Sequence, residues 1–154
     1  MRIVHATRSH VSPLARLMAA SPLLRRYRVA ERSAKARLAE ALRERDIVLV
    51  AIDGRDVVGL AWLIPTRVLD RAAYLRLLLV AESHQSRGVG AALLARGEQQ
   101  SRSRGCRHLV MLVTKTNRRA RSFYQRHGYA HVGDLSGYVR AGIAESVYVK
   151  SWRA

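Results

Sequence analysis

The amino-acid sequence predicts an α/β fold in which a mixed central sheet of about six to seven strands is flanked by about four helices. The first observation is a hairpin signal, Asp53-Gly54-Arg55-Asp56, between two apolar runs, because Asp-Gly accepts positive φ. The second is the apolar run 72–80, which is followed by a helical pattern and another apolar run, the order of a parallel crossover. The third is the length of 154 residues, which suits a single domain over residues 1–154.

The first half of the chain predicts a strand, two helices and a pair of antiparallel strands. Residues 2–6 alternate like a short strand, and residues 11–20 carry apolar side chains at helical spacing until a Ser-Pro pair ends the pattern. Residues 31–45 are rich in Ala, Leu, Glu and Arg and predict a second helix. The apolar runs 47–52 and 57–64 are then the two strands of the hairpin.

The middle of the chain predicts the parallel crossover. Residues 65–70 are expected to form a loop, and 72–80 a strand at the centre of the sheet whose run Leu77–Val80 is buried on both faces. A helix over 88–104 and a strand over 109–113 follow.

The last part of the chain predicts one helix and two closing strands. Asn117 is a good helix cap, and Gly128 is placed to end the same helix with positive φ. Residues 129–132 and 146–152 are the two closing strands. The predicted element order is therefore βααβββαβαββ.

The charge of the chain is its least ordinary property. The formal net charge is +17 and comes almost wholly from arginine, since Lys35, Lys115 and Lys150 are the lysines. Such a field attracts polyanions, whether a phosphorylated cofactor, nucleic acid or an acidic protein. The alternative is that the arginines reflect a GC-rich genome and lie scattered on a solvated surface.

Several classes of protein are disfavoured by the sequence. No apolar run approaches the ~20 residues that span a bilayer, and the N-terminus lacks the apolar region of a signal peptide, so a cytoplasmic protein is expected. Cys106 is the lone cysteine, and no spaced group of Cys and His residues indicates a metal site.

The segment Ala81–Gly90 joins the central strand to the following helix and carries glycines at its end. A helix N-terminus presents unpaired backbone N–H groups, and Gly88 and Gly90 let phosphate oxygens approach the main chain. The alternative is a tight turn with close helix–strand packing. No Gly-Lys-Ser/Thr follows, and Leu93 stands where a dinucleotide fingerprint has its third glycine.

With these residues the sequence resembles the GNAT (GCN5-related N-acetyltransferase) superfamily. Its cofactor signature, Gln/Arg-x-x-Gly-x-Gly/Ala after a buried strand, is matched by Gln85, Gly88 and Gly90. A second signature, Asn-x-x-Ala-x-x-Phe-Tyr-x-x-x-Gly-Phe/Tyr, is matched by Asn117–Tyr129. The resemblance implies the GNAT acyl-CoA N-acyltransferase fold and an enzyme that uses acetyl-CoA as cosubstrate.

The resemblance also implies which residues contact acetyl-CoA. In the family the fourth and fifth strands splay apart, and the pantetheine arm lies in the gap. The residues that correspond to those flanking the arm are Leu78, Leu79 and Val80. The pyrophosphate would be held by Gln85, Ser86, Arg87, Gly88, Val89 and Gly90. Asn117 and Tyr124 would contact the cofactor from the last helix.

For the chemistry, the resemblance implies that Tyr124 protonates the leaving CoA thiolate, whereas a packed aromatic on its helix is the other interpretation. Many relatives deprotonate the amine with a Glu on the fourth strand, but residues 74–80 contain no carboxylate. Glu82, His84, Glu145 and a bound water remain as candidates for the base. A backbone N–H near Val80 is expected to stabilise the oxyanion.

The acceptor is expected to be an amine, and the family recognises it through segments that correspond to 10–46, 65–72 and 133–145. These segments contain a set of arginines, so an acceptor with phosphate or carboxylate fits better than a polycation (Arg25, Arg26, Arg28, Arg67, Arg71, Arg140). The alternatives are acetylation of aminoacyl-tRNA and a non-catalytic nucleic-acid-binding module. Residues 146–152 are either a core strand or the edge of a homodimer.

Overall fold

The computed structural model describes residues 1–152 and contains one seven-stranded mixed sheet in the order β1-β2-β3-β4-β5-β7-β6. Its strands are β1 (Arg2–His5), β2 (Ile47–Asp53), β3 (Asp56–Pro65), β4 (Ala72–Val80), β5 (His108–Thr114), β6 (Ala130–Ser136) and β7 (Ala144–Ser151). Strands β1 to β4 pair antiparallel, and β4 pairs parallel with β5. The predicted α/β fold with its mixed sheet and single parallel crossover is confirmed.

Four longer helices and two short ones flank the sheet. They are α1 (Val11–Ala20), α2 (Pro22–Arg26), α3 (Glu31–Arg43), α4 (Val68–Arg71), α5 (Val89–Ser103) and α6 (Arg118–Arg126). The Ser-Pro pair that ends α1 also begins α2, because Pro22 occupies its first turn and the Ser21 hydroxyl accepts from the Leu24 N–H at 3.4 Å. The sequence analysis did not predict α2.

The segment before β4, where a loop was expected over 65–70, closes in a tight turn at α4, whose residues Leu69 and Asp70 are not helical in φ and ψ. Leu69, Asp70 and Arg71 all have positive φ, at 52°, 53° and 63°. Left-handed conformations cost energy for residues with a Cβ, so this turn needs support from its neighbours. The Asp70 carboxylate accepts a hydrogen bond from Arg107 at 3.0 Å, which links the turn to the start of β5.

Two apolar layers hold the helices against the sheet. Side chains of α1 and α3 pack on one face, and side chains of α5 pack on the other face together with Tyr124 of α6. Helix α5 approaches β3 closely at Gly59, where an added Cβ would lie 2.8 Å from Leu93 Cδ1. The absence of a side chain at Gly59 therefore sets the distance between α5 and the sheet.

The prediction that Leu77–Val80 is buried on both faces is wrong. All four residues are half-buried, although β4 lies at the centre of the sheet. The reason is that the parallel pairing of β4 with β5 runs from Ala72–His108 to Leu75–Met111 and then stops. Beyond that point the two strands diverge, and one edge of β4 opens into a cleft.

Candidate active site

The cleft between the diverging ends of β4 and β5 has a volume of about 390 Å³. Helices α1 and α2 cover one side of it, and the β6–β7 connection approaches the other. Its wall brings together three of the predicted site residues, Leu78, Asn117 and Tyr124. The divergence of two parallel strands thus creates an opening in the middle of the sheet.

The loop that follows β4 presents a row of free backbone donors. Gly88 caps α5 with φ of 80°, a conformation that favours glycine. The N–H groups of residues 86 to 91 donate to no acceptor within the described part of the chain, whereas the Gln85 N–H already donates to the Glu82 carbonyl at 3.3 Å. Free donors at a helix N-terminus fit a phosphate group, so the loop suits the pyrophosphate of a coenzyme A molecule.

Side-chain contacts fix this loop to its surroundings. Gln85 donates from Nε2 to the Val80 carbonyl at 3.2 Å, which ties the loop to the end of β4. Arg119 of α6 donates to Gln85 Oε1 at 2.7 Å and to the Ser86 hydroxyl at 3.0 Å. The sequence analysis missed Arg119, since no motif connects it with a loop more than thirty residues earlier. Arg87 is exposed and forms no ion pair within residues 1–152.

The three predicted residues at the end of β4 do not share one face. Leu78 and Val80 pack with the layer that contains α5, and Leu79 packs with the layer that contains α1 and α3. This alternation is the ordinary period of a strand. Leu77, which packs in the same layer as Leu79, lines the cleft together with Leu78, so the cleft reaches both faces of β4.

Tyr124 lies at the inner wall of the cleft and is 8% exposed. Its ring packs edge-on against Phe123 and Tyr129, with centroid distances of 5.2 and 5.7 Å. Its hydroxyl has no hydrogen-bond partner among the described residues. Burial raises the pKa of Tyr124 well above its usual range, so the phenol stays protonated at neutral pH.

Asn117 caps helix α6 and also lies at the cleft. Its side-chain oxygen accepts a hydrogen bond from the Ala120 N–H at 3.1 Å and caps α6, as predicted. Asn117 also lines the cleft. Contact with the cofactor stays a prediction, and the helix cap is confirmed.

The candidates for the catalytic base occupy different places. Glu82 is exposed, and His84 lies 3.5 Å from the Asp53 carboxylate and 2.9 Å from the Ser83 hydroxyl. Neither of these two residues lines the cleft. Glu145, at the start of β7, lines it and is 2% exposed. Its Oε1 accepts a hydrogen bond of 2.5 Å from the Tyr27 hydroxyl.

Basic side chains line the same cleft. Arg37 of α3, Arg76 of β4 and Arg140 of the β6–β7 connection all contribute to its wall, and Arg76 lies 5.0 Å from the centre of the Trp62 ring. Of the arginines that the sequence analysis named for the acceptor, Arg140 reaches the cleft and the other five do not. None of the helices within residues 1–152 is both long and apolar enough to cross a membrane.

A mixed sheet that opens between parallel strands, beside a helix N-terminus with free donors, defines a class of proteins that bind an acylated coenzyme. Residues 16–129 match the family described as "Acetyltransferase (GNAT) family". The chain belongs to this family and is an acyltransferase, as the two sequence signatures predicted.

Two curated relatives are similar to this chain. "Acetyltransferase Atu2258" of Agrobacterium fabrum is 34% identical over 62 residues, which are 40% of this chain and 44% of that protein. "Uncharacterized N-acetyltransferase YhfO" of Bacillus subtilis is 28% identical over 124 residues, which are 72% of this chain and 81% of that protein. The match thus spans less than half of the first relative and most of the second.

A solved structure extends the likeness to nearly the whole chain. An aminoglycoside 6'-N-acetyltransferase complexed with coenzyme A superposes with a TM-score of 0.83 at 19% identity and covers 98% of this chain and 97% of its own. At that identity the likeness shows the fold. Together with the family membership, it confirms the expectation of acetyl-CoA as cosubstrate.

Proposed function

We propose that this chain transfers the acetyl group of acetyl-CoA to a primary amine by direct attack within a ternary complex. The observation that carries the proposal is the junction of three features in one place: the free N–H groups of residues 86 to 91, the unpaired edge of β4, and the cleft that ends at Tyr124. Acetyl-CoA supplies the activated acetyl group as a thioester. Direct attack requires room for both substrates on one side of the sheet.

Free main-chain groups would make most of the contacts to the cofactor. The N–H groups of Ser86 to Gly90 would donate to the pyrophosphate, and the exposed Arg87 would add an ionic contact. The main chain of Leu78, Leu79 and Val80 would bond the pantetheine arm along the edge that β5 leaves free. Asn117 and Tyr124 line the cleft and would contact the reactive end of the cofactor.

Tyr124 is proposed to assist departure of the thiolate. Tyr124 lines the cleft, its hydroxyl has no partner among residues 1–152, and burial raises the pKa of the phenol, so a proton is available there. As the carbon–sulfur bond breaks, the hydroxyl donates to the sulfur. A backbone N–H near Val80 is the proposed oxyanion donor.

The acceptor is proposed to carry an anionic group as well as its amine. Arg37, Arg76 and Arg140 line the cleft and would repel a polycation such as an aminoglycoside. Carboxylates and phosphates are the groups that guanidinium forks bind best. An apolar groove that contains Leu69, Tyr138 and Val147 adjoins the cleft and would accept an apolar part of the same molecule.

Isothermal titration with acetyl-CoA tests the proposal. Gly88→Glu places a carboxylate among the free donors and should abolish binding that the native protein shows in the micromolar range, ~10 μM or tighter. Gly105→Glu is the matched control, because Gly105 has φ of 81° and open space around it but lies at the other end of α5. Equal loss in both variants, or no binding by the native protein, would contradict the proposal.

The RNA-directed alternative makes a different prediction for salt. Binding to tRNA through phosphate contacts should weaken by ~1,000-fold or more between low and physiological salt, while binding to a small acceptor should hardly respond. The measurement is a filter-binding titration with unfractionated tRNA at two salt concentrations. Tight binding with a steep salt dependence would favour aminoacyl-tRNA as the acceptor.

A further inference from the structure

Glu145 is a buried carboxylate that lacks a cation. It is 2% exposed, yet no Lys, Arg or His of residues 1–152 lies within ion-pair distance of it. Buried charges in proteins are normally paired, since an unpaired buried charge destabilises the fold. Glu145 faces the cleft, so a cation that completes the pair can arrive there as part of a ligand.

A chain of hydrogen bonds fixes one oxygen of this carboxylate. The single hydroxyl proton of Tyr27 is donated to Glu145 Oε1, so the Thr114 hydroxyl, 2.6 Å from the Tyr27 oxygen, donates to it. The register of the sheet places Thr114 directly opposite Glu145. The second oxygen, Oε2, has no partner within the described residues. One oxygen is therefore held and the other is free to contact a ligand in the cleft.

We infer that Glu145 binds the ammonium group of the acceptor through its free oxygen and removes the proton that prevents attack, while Tyr27 positions the carboxylate. The inference rests on the proposed function and adds the base that the fourth strand does not supply. An N–H bond of the ammonium breaks, and an O–H bond forms on Glu145. The nitrogen lone pair then attacks the acetyl carbon and the nitrogen loses its second proton to water. The carbon–sulfur bond breaks, and the thiolate takes its proton from Tyr124. Glu145 later releases its proton to water, and water reprotonates Tyr124.

The arrangement also explains why the arginines and the carboxylate share one cleft. Arg140 is half-buried in the connection that leads to Glu145, and Arg37 of α3 and Arg76 of β4 line the same cleft. An acceptor with an ammonium at one end and an anion at the other would satisfy both signs of charge. The carboxylate then selects the end that is acetylated.

The test uses the full chain with two kinds of nucleophile. The first is a panel of primary amines that carry a carboxylate or phosphate, such as dipeptides ending in Asp or Glu and O-phosphoethanolamine. The second is hydroxylamine, which is largely uncharged at neutral pH and needs no deprotonation before attack. Release of free CoA thiol is followed for native protein, Glu145→Gln and the control Glu40→Gln, an exposed residue of α3, with the uncatalysed rate subtracted.

Glu145→Gln should lower kcat for the amines by about 100-fold, in the range of a lost general base. Its rate with hydroxylamine should change far less, and its affinity for acetyl-CoA should stay within about twofold of the native value, because cofactor binding makes no use of Glu145. Tyr27→Phe should lower kcat for the amines by about 10-fold as a positioning residue. Glu145→Asp should retain part of the activity.

The results that would overturn the inference differ from the result that would refute the proposed function. Native activity of Glu145→Gln on the amines overturns the inference, and so does an equal loss with both kinds of nucleophile, which marks a structural role. Binding of acetyl-CoA by native protein without transfer to any amine of the panel also contradicts it. If Glu145→Gln does not fold, unchanged kcat in both Tyr27→Phe and Glu145→Asp overturns it. Failure of native protein to bind acetyl-CoA refutes the proposed function itself.

Discussion

The two halves of the β4–β5 pair differ more than their sequences suggest. In the closed half, Ala72–Leu75 pairs with His108–Met111, and Ala73, Leu75 and Leu109 are at most 3% exposed. In the open half, Leu77–Val80 is at least as apolar, yet all four residues are half-buried. The two halves of β4 differ in burial because β5 pairs with one half and not with the other, and not because their compositions differ.

This comparison shows how an ordinary sheet becomes a binding site. A central strand normally uses the N–H and C=O groups on both of its edges for pairing. Where β5 diverges, the same groups of β4 and the side chains beside them are left for a ligand. The closed half should therefore determine stability, and the open half should determine activity.

The largest effect is expected from matched leucine truncations on β5. Leu109→Ala, in the closed half, should lower the free energy of unfolding by about 2–5 kcal/mol, because the side chain is fully buried. Leu112→Ala, in the half-buried open part, should cost about 1 kcal/mol and reduce turnover. Urea denaturation of both variants measures the difference. Equal destabilisation by the two truncations would contradict the claim that the closed half determines stability.

Tyr124→Phe separates activity from stability within the open half. The variant should lower kcat at saturating acetyl-CoA by about 100-fold, while the free energy of unfolding hardly changes because the hydroxyl has no partner among the described residues. Since burial raises the pKa of Tyr124, native kcat should show no loss from phenol ionisation below about pH 10. Steady-state kinetics across pH check both statements. Full turnover by Tyr124→Phe would leave the packed-aromatic interpretation.

A smaller effect, on the affinity for acetyl-CoA, is expected from Arg119, which contacts the loop after β4. Arg119→Ala removes the contacts to Gln85 and Ser86 and should weaken acetyl-CoA binding by about threefold to tenfold, because the exposed loop then has to be ordered on binding. Arg118→Ala, exposed on the same helix, is the control. Titration calorimetry compares the two. Equal affinities would show that the loop does not need Arg119.

Much of the fold could be predicted because its signals are local. The hairpin at Gly54, the cap at Asn117 and the stop at Gly128 each depend on a few neighbouring residues, and the structure has all three. The burial of Leu77–Val80 was misjudged because it depends on where a strand more than thirty residues later turns away. Periodicity along one segment carries no information about that divergence.

The candidate site was predicted in part for the same reason. Gln85, Gly88 and Tyr124 lie in contiguous motifs, whereas the contact between Tyr27 and Glu145 joins residues 118 positions apart. Glu145 was named from the sequence only as one of several candidates, because its hydroxyl partner, Tyr27, follows α2 and reaches Glu145 of β7 only in the folded chain. Such polar contacts between distant elements have no signature in a single sequence.

Amide hydrogen exchange of residues 86 to 91 tests most directly the claim that the loop after β4 and the open edge hold acetyl-CoA. These N–H groups lack acceptors within residues 1–152 and should exchange rapidly in the free protein. Saturating acetyl-CoA should slow their exchange by about tenfold or more, the effect of hydrogen bonds to a charged group, while amides of the closed half stay protected throughout. Unchanged exchange at residues 86 to 91 with the cofactor bound would contradict the account.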